Sequence, residues 1–401
     1  MRPRALGFVA IGALVTAAAS LAACSLLTSY DDFTGGSAED ATTGGDGGPG
    51  HDAGADAKVD AYQPTTEDTL CSPNIPANPA GNDLQNDLST RTFIGVVSTM
   101  RFSAADGGCP LGKNLDGLDT CGDSGPPDSS GPACIPADPV GPNCDEPGGI
   151  DINGQELLFL PTTLGLSKVD LATELPADVA AQRTGFVLKL SDYGGQLDDP
   201  KVIVSYLNDV GIGDAGGGTI VEDASVPQQY TWQADDAYVN NGVLVAHFPN
   251  PLPVHLTFFF TNVPTVQHSL ILPISEATII GHPVVDTDGG TGLTMNDAQL
   301  VGRMTSDDIV ALLSEIFACV GYESADKLCG SLDLTASRAT DGLGYGCDAL
   351  SLGIGFDLSP TVIAGTAAAV PTIDYCTTYD AAPPFSGNLC GTSLDAGPVG
   401  Q

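Results

Sequence analysis

The chain is 401 residues long and carries 50 acidic against 13 basic residues, a net charge of −37. A surface of that sign repels phosphate backbones and anionic headgroups, which excludes nucleic-acid binding and electrostatic docking of the protein surface on a membrane. At 42% apolar residues it can still build a core, while 41 aspartates against nine glutamates, with 50 glycines and 29 prolines, predict strands and turns over long helices.

The chain opens with Arg2 and Arg4, an apolar run from Phe8 to Ala18, and Leu21-Ala22-Ala23-Cys24. The run is too short to span a bilayer comfortably. Small residues closing on a cysteine resemble the bacterial lipobox, which implies a signal peptide over residues 1–23 and a diacylated Cys24. By the same resemblance, Ser25 in place of aspartate points to the outer membrane, with periplasmic or surface orientation left open. Two acyl chains give stable anchoring. Residues 24–66 are rich in Gly, Asp, Ala and Thr, with no hydrophobic period. They read as a disordered acidic tether, spanning on the order of 35–40 Å root-mean-square as a flexible coil. A single β-rich domain is expected over 67–401.

Strand signals begin at Thr92–Phe102. A Cys/Gly/Pro/Asp-rich segment follows, from Ala104 to Gly149. Within it, Asn114-Leu115-Asp116-Gly117-Leu118-Asp119 is similar to the core of aspartate-rich calcium loops, with Asp123 further on. The register is incomplete because Gly112 falls at the first ligand position. Asp286, Asp288 and Asp297 form a second oxygen-rich group, so Ca2+ is the cofactor to consider. Cys121-Gly122-Asp123-Ser124-Gly125-Pro126 is similar to a trypsin-type nucleophile segment, but only His51 lies upstream and no triad of that order can assemble. No strand carries the alternating acids of a jelly-roll glycosidase.

Residues 165–183 carry a weak helical signal. Strands are expected at 185–190, 201–206, 242–248 and 254–260. His247 and His255 flank the proline-rich reversal between the last two, too few ligands for zinc without a third. Trp232, Asp235, Asp236 and Tyr238 place aromatic faces beside carboxylates at an expected strand-turn-strand corner, a combination that suits carbohydrate. Ser275–His282 matches Asn296–Arg303 21 positions later, which predicts neighbouring strands of one antiparallel sheet. The clearest helix is 306–320, capped by Thr305 with Asp308 at the third position. A second short helix is expected at 323–330 and a late strand at 349–356.

Eleven cysteines are present, and lipidation of Cys24 leaves ten: Cys71, Cys109, Cys121, Cys134, Cys144, Cys319, Cys329, Cys347, Cys376 and Cys390. Export through an oxidising compartment favours disulfides, and the spacing lacks the CxxC pairs of a metal site. Locality suggests Cys109–Cys121, Cys134–Cys144 and Cys319–Cys329. The others, Cys71, Cys347, Cys376 and Cys390, would tie the ends of the domain together. The pattern as a whole predicts a mainly β fold: an antiparallel, jelly-roll-like β-sandwich with one or two short helices and disulfide-stapled loops.

The chain resembles uncharacterised outer-membrane lipoproteins of myxobacterial type. The resemblance rests on the lipobox followed by Tyr30–Gly36, on Asn114–Gly117, Gly149–Asn153, Tyr193–Asp199 and Cys347–Gly353. It implies location and a β-rich domain, and carries no mechanism. The leading expectation is a non-enzymatic envelope lipoprotein with a structural or adhesive role, its partner an envelope protein. A calcium-assisted carbohydrate-binding module is the alternative, and a hydrolase with a loop-borne site is a weaker one.

Overall fold

The computed structural model describes residues 70–79, 91–103, 110–118, 134–135, 145, 149–151, 154, 171–209, 219–223, 232–249, 251–259, 267–286, 289–315 and 329–367. The chain divides into Met1–Val59 and Asp60–Gln401, and every described residue belongs to the second unit. Among the described residues, eleven strands and two α-helices follow in this order: β1 Thr92–Arg101, α1 Leu171–Ala180, β2 Gly185–Ser191, β3 Asp199–Asp209, β4 Thr219–Asp223, β5 Gln233–Asn240, β6 Val243–His247, β7 Leu252–Phe259, β8 Gln267–Val285, β9 Leu293–Thr305, α2 Ser306–Glu315, β10 Ala349–Pro360 and β11 Val362–Ala367.

The mainly antiparallel β architecture matches the sequence expectation, but the sandwich is not confirmed, because all eleven strands belong to one sheet. That sheet closes on itself. Eight strands run β1-β2-β3-β5-β6-β8-β9-β10, each antiparallel to the next. The ring is completed where β10 pairs with β1 (Phe356 opposite Met100) and β3 with β5 (Val204 opposite Ala234). Ring neighbours follow one another along the chain, an up-and-down order without the crossovers of a jelly roll. An even number of strands is what an all-antiparallel ring requires. β4 and β11 extend the sheet beside the end of β3, and β7 pairs with the first half of β8.

Alternation along the ring strands decides which side chains point inward. Phe93, Phe186, Tyr206, Met295, Leu300 and Phe356 are at most 1% exposed. The Phe186 ring stacks on Tyr206 (centroids 5.1 Å apart) and meets Phe356 edge-on at 5.0 Å. Phe186 on β2 and Phe356 on β10 flank β1, so their contact passes over β1. α1 packs against β1 and β7 through Leu171, Leu175 and Val179, despite Pro176 within the helix, which forfeits one backbone hydrogen bond. α2 packs on β8 and β9 through Ile309, Leu312 and Leu313. Its first turn is capped as expected: Asp308 N donates to Thr305 Oγ1 (3.2 Å), and that hydroxyl donates to Asp308 Oδ2 (2.6 Å).

The internal repeat lies across the β8–β9 pair as expected. Ile279 faces Leu300, its own equivalent 21 residues on, and the pairs Ser275–Arg303 and His282–Asn296 exchange under a local twofold through that point. The repeat extends to backbone strain. Glu276 and Asp297 occupy the same repeat position, have φ of 53° and 52°, and sit at breaks in strand register. Gly281 and Gly302 are likewise equivalent. A Cβ on Gly281 would lie 2.3 Å from Met295 Cε, and one on Gly302 would lie 2.4 Å from Ile274 Cγ2.

A second layer covers the outside of the ring on one side. Leu70, Leu115 and Leu334 from connecting segments pack against Val243, Val245, Ile280, Val301 and Ala349. Gly353 makes close approach possible there, since a Cβ would stand 2.3 Å from the Leu111 carbonyl oxygen. A buried disulfide joins Cys134 to Cys347, 213 residues apart, which corrects the local Cys134–Cys144 pairing. Tertiary contact, not chain proximity, brings these sulfurs together. Ile135 N donates to the Tyr345 carbonyl and Cys347 N to the Ile135 carbonyl. Cys71 and Cys329 are also disulfide-bonded. Cys24, Cys109, Cys121, Cys144, Cys319, Cys376 and Cys390, the tether, and the expected helical residues 316–320 and 323–328 lie outside the described residues.

Candidate functional site

The aromatic-carboxylate set on β5 does not form one patch. Asp235 and Asp236, expected in a turn, lie within β5 where its register against β3 slips between Val202 and Val204, and both are exposed. Trp232 packs against the inner core, whereas Tyr238 belongs to the outer layer and donates its hydroxyl to the Pro76 carbonyl. Residues 232 and 238 are an even number apart, but the slip at Asp235-Asp236 shifts the alternation by one, so the two rings lie on opposite faces and cannot stack on one sugar.

The two histidines separate in the same way. β6 and β7 do not face each other but pair with different halves of β8. His247 Nδ1 shares a hydrogen bond with Thr278 Oγ1 (2.8 Å), and burial together with the Arg338 charge lowers its pKa. His255 Nε2 is hydrogen-bonded to Ser269 Oγ, and its backbone N–H donates to Asn208 Oδ1 (3.0 Å).

Of the oxygen-rich groups, Asp286 is exposed, and its carbonyl accepts from Arg91 Nη2 at 2.9 Å. Asp297 turns to Arg101 at 3.2 Å. Asp119, Asp123 and Asp288 lie outside the described residues. Asn114 and Asp116 shape their own turn. Gly117 N donates to Asn114 Oδ1 (2.5 Å), Leu118 N to Asp116 Oδ1 (2.7 Å), and Asn114 Nδ2 to the Leu118 carbonyl (2.8 Å). Among the described residues, no three His, Cys, Asp or Glu side chains form a group able to hold a metal ion.

The turn at 114–118 nevertheless borders the most charged interior of the molecule, between the ring and its outer layer. Arg303 of β9 points outward from the ring and is fully buried. Its guanidinium grips Asp341 with two bonds (2.5 and 3.0 Å), donates to the Thr335 and Leu115 carbonyls (2.9 and 3.1 Å), and lies 2.9 Å from Glu276. Burial works against its charge. The Asp341 hydrogen bond and the Asp341, Glu276 and Asp151 charges outweigh it and raise its pKa. Lys113, also fully buried, donates its ammonium to the Leu70 and Ser72 carbonyls (2.5 and 2.6 Å).

Three carboxyls beside this pair of cations are held out of water. Asp151 is 1% exposed and accepts from Leu115 N through Oδ2 (2.7 Å). Burial, then the charges of Asp116, Asp333 and Asp145, push its pKa well above the usual carboxyl range. Burial also raises Asp116, against the Leu118 amide and with the Asp145 charge. Asp333 accepts from Ser351 N (2.9 Å) and Ser351 Oγ (2.6 Å), yet burial still pushes it up to about 7.

None of Asp151, Asp333 and Arg303 was singled out from the sequence. A signal was present: each is a lone charge between apolar residues, in Ile150-Asp151-Ile152, Leu332-Asp333-Leu334 and Val301-Gly302-Arg303-Met304. Comparison with protein-family models, with curated proteins and with solved structures finds no match. Fold and site together define a closed antiparallel β-barrel with a buried acidic cluster beneath its outer layer.

Proposed function

We propose that this protein is a non-enzymatic lipoprotein of the cell envelope, anchored through Cys24 to the outer membrane, with a structural or adhesive role. The observation that carries the reading is the filled barrel. Eight-stranded rings that bind small molecules keep an open interior, whereas here the Tyr206–Phe186–Phe356 stack and its neighbours occupy it. Work on a ligand therefore falls to the outer surface, which suits a partner in the envelope better than a small substrate. The strongly acidic composition fits anchoring through acyl chains and not through the protein surface.

The test is expression of the full chain in a bacterium that processes lipoproteins, with labelled palmitate and membrane fractionation. The wild-type chain takes up label and follows the outer membrane, and Cys24→Ala does neither. Membrane association of an unlabelled Cys24→Ala chain overturns the anchor. For the adhesive role, cells displaying the wild-type chain bind one another or a surface faster than cells carrying Cys24→Ala, and equal rates count against it.

A further inference from the structure

We propose that Asp116 and Asp151 hold a divalent cation of the calcium type between Asp116 Oδ2 and Asp151 Oδ1. The two carboxylates are built alike. Each has one oxygen tied to a backbone amide at 2.7 Å, Leu118 N for Asp116 and Leu115 N for Asp151. Each has its second oxygen buried with no hydrogen-bond partner. Asp151 is only 1% exposed, so bulk water does not reach that oxygen. The backbone places both groups together. Lys113 pairs with Asp151 in an antiparallel bridge, and the turn carrying Asp116 starts at the next residue.

A buried carboxylate oxygen without a donor is a costly thing to keep, and a pair of them more so. Arg303 reaches the two carboxylates through its charge, while its bonds go to other groups. Arg303 is engaged with Asp341, Glu276 and two carbonyls, and the Lys113 ammonium with the Leu70 and Ser72 carbonyls. Asp145 and Asp333 add further negative charge around Asp151. A cation supplies what the pocket lacks. All the candidate ligand atoms are oxygens, which selects a hard ion. Calcium takes about six to eight oxygens in irregular shells, so the two carboxylates would supply part of the shell and carbonyls or water the rest. This ligand pair differs from the loop register legible in the sequence: Asn114 Oδ1 is spent on Gly117 N, and the second carboxylate comes from Asp151, 35 positions beyond Asp116.

Calcium chloride titrated calorimetrically into the chelator-stripped full chain, with magnesium chloride in parallel, tests this. One saturable calcium site is expected. Asp116→Asn and Asp151→Asn each keep the oxygen that accepts the backbone amide and turn the other into an N–H donor. Each should weaken binding by more than about tenfold, while Asp235→Asn at the exposed β5 position leaves it unchanged. If Asp151→Asn does not fold, Asp116→Asn, on the less buried turn, decides alone. Absence of a saturable site in the folded wild-type chain overturns the proposal and leaves an acid pair sharing a proton. Wild-type affinity in the folded variants overturns it too, by placing the ion elsewhere.

Discussion

Replacing Asp333 with Asn removes a buried carboxyl whose ionisation the fold resists. Asp333 stands 8% exposed, and its pKa rises from 3.8 to about 7, chiefly through burial and against the hydrogen bonds from Ser351. A carboxyl displaced that far corresponds to about 4 kcal/mol between the two protonation states. The sign follows from linkage. Below about pH 4 the group is protonated in folded and unfolded chains alike, and its contribution to stability is fully present. Between about 4 and 7 only the folded chain holds the proton, so stability falls as pH rises, and above about 7 the contribution is lost. Asn imitates the protonated acid: its oxygen accepts from Ser351 N and its amide can donate to Ser351 Oγ. Urea unfolding of both chains in chelator, from pH 4 to pH 8, measures the difference. The Asn variant should gain on the wild type by about 4 kcal/mol across that range, with most of the change below pH 7. Asp116, Asp151 and Asp348, whose pKa values are also raised by burial, stay in both chains, so the comparison isolates Asp333. A difference that stays flat with pH would refute the assignment.

Four further outcomes can be checked by the same unfolding assay. Arg303→Met leaves Asp341 and Glu276 without their buried partner and should cost about 3–5 kcal/mol; a loss below about 1 kcal/mol would mean the pocket hydrates freely. Gly302→Ala and Gly281→Ala should each cost about 1–3 kcal/mol. The new methyl at 302 meets Ile274 and the Ser275 carbonyl, and at 281 it meets Met295 and the Ala298 methyl. Tyr206→Phe should stabilise by about 1 kcal/mol, because its hydroxyl is buried without a hydrogen-bond partner and the ring contacts survive; destabilisation would reveal an internal water or ligand on that hydroxyl. Cys134→Ser paired with Cys347→Ser should cost about 2–5 kcal/mol relative to the wild-type chain by releasing a long loop in the unfolded chain, and the gap should close under reducing conditions.

Much of the secondary structure was legible because its causes are local. Thr305 and Asp308 cap α2 with atoms three residues apart. The 21-residue repeat announced β8 and β9 as neighbours, and the structure places its twofold at Ile279 and Leu300. Asp235-Asp236 misled, since adjacent aspartates usually mark a turn, whereas a slip in strand register exposes both within β5. Locality misled again for Cys134, whose partner is fixed by a bridge between Ile135 and Gly346. The acidic cluster was hidden for a related reason. Asp116, Asp151, Arg303, Asp333 and Asp341 come from four separate stretches, and each alone resembles a solvated turn or a stray strand charge.

The sequence by itself determined the charge of the molecule, its turn-rich β character, the α2 cap and the β8–β9 pairing, because these depend on composition or on residues close along the chain. Tertiary structure alone decided that the sheet closes, that aromatic rings pack inside it, and that buried carboxyls gather near a buried arginine beneath the outer layer. Closure depends on β1 meeting β10 and β3 meeting β5 across long or bulged connections, and burial of a charge depends on what is folded over it. Neither is a property of any short stretch of chain.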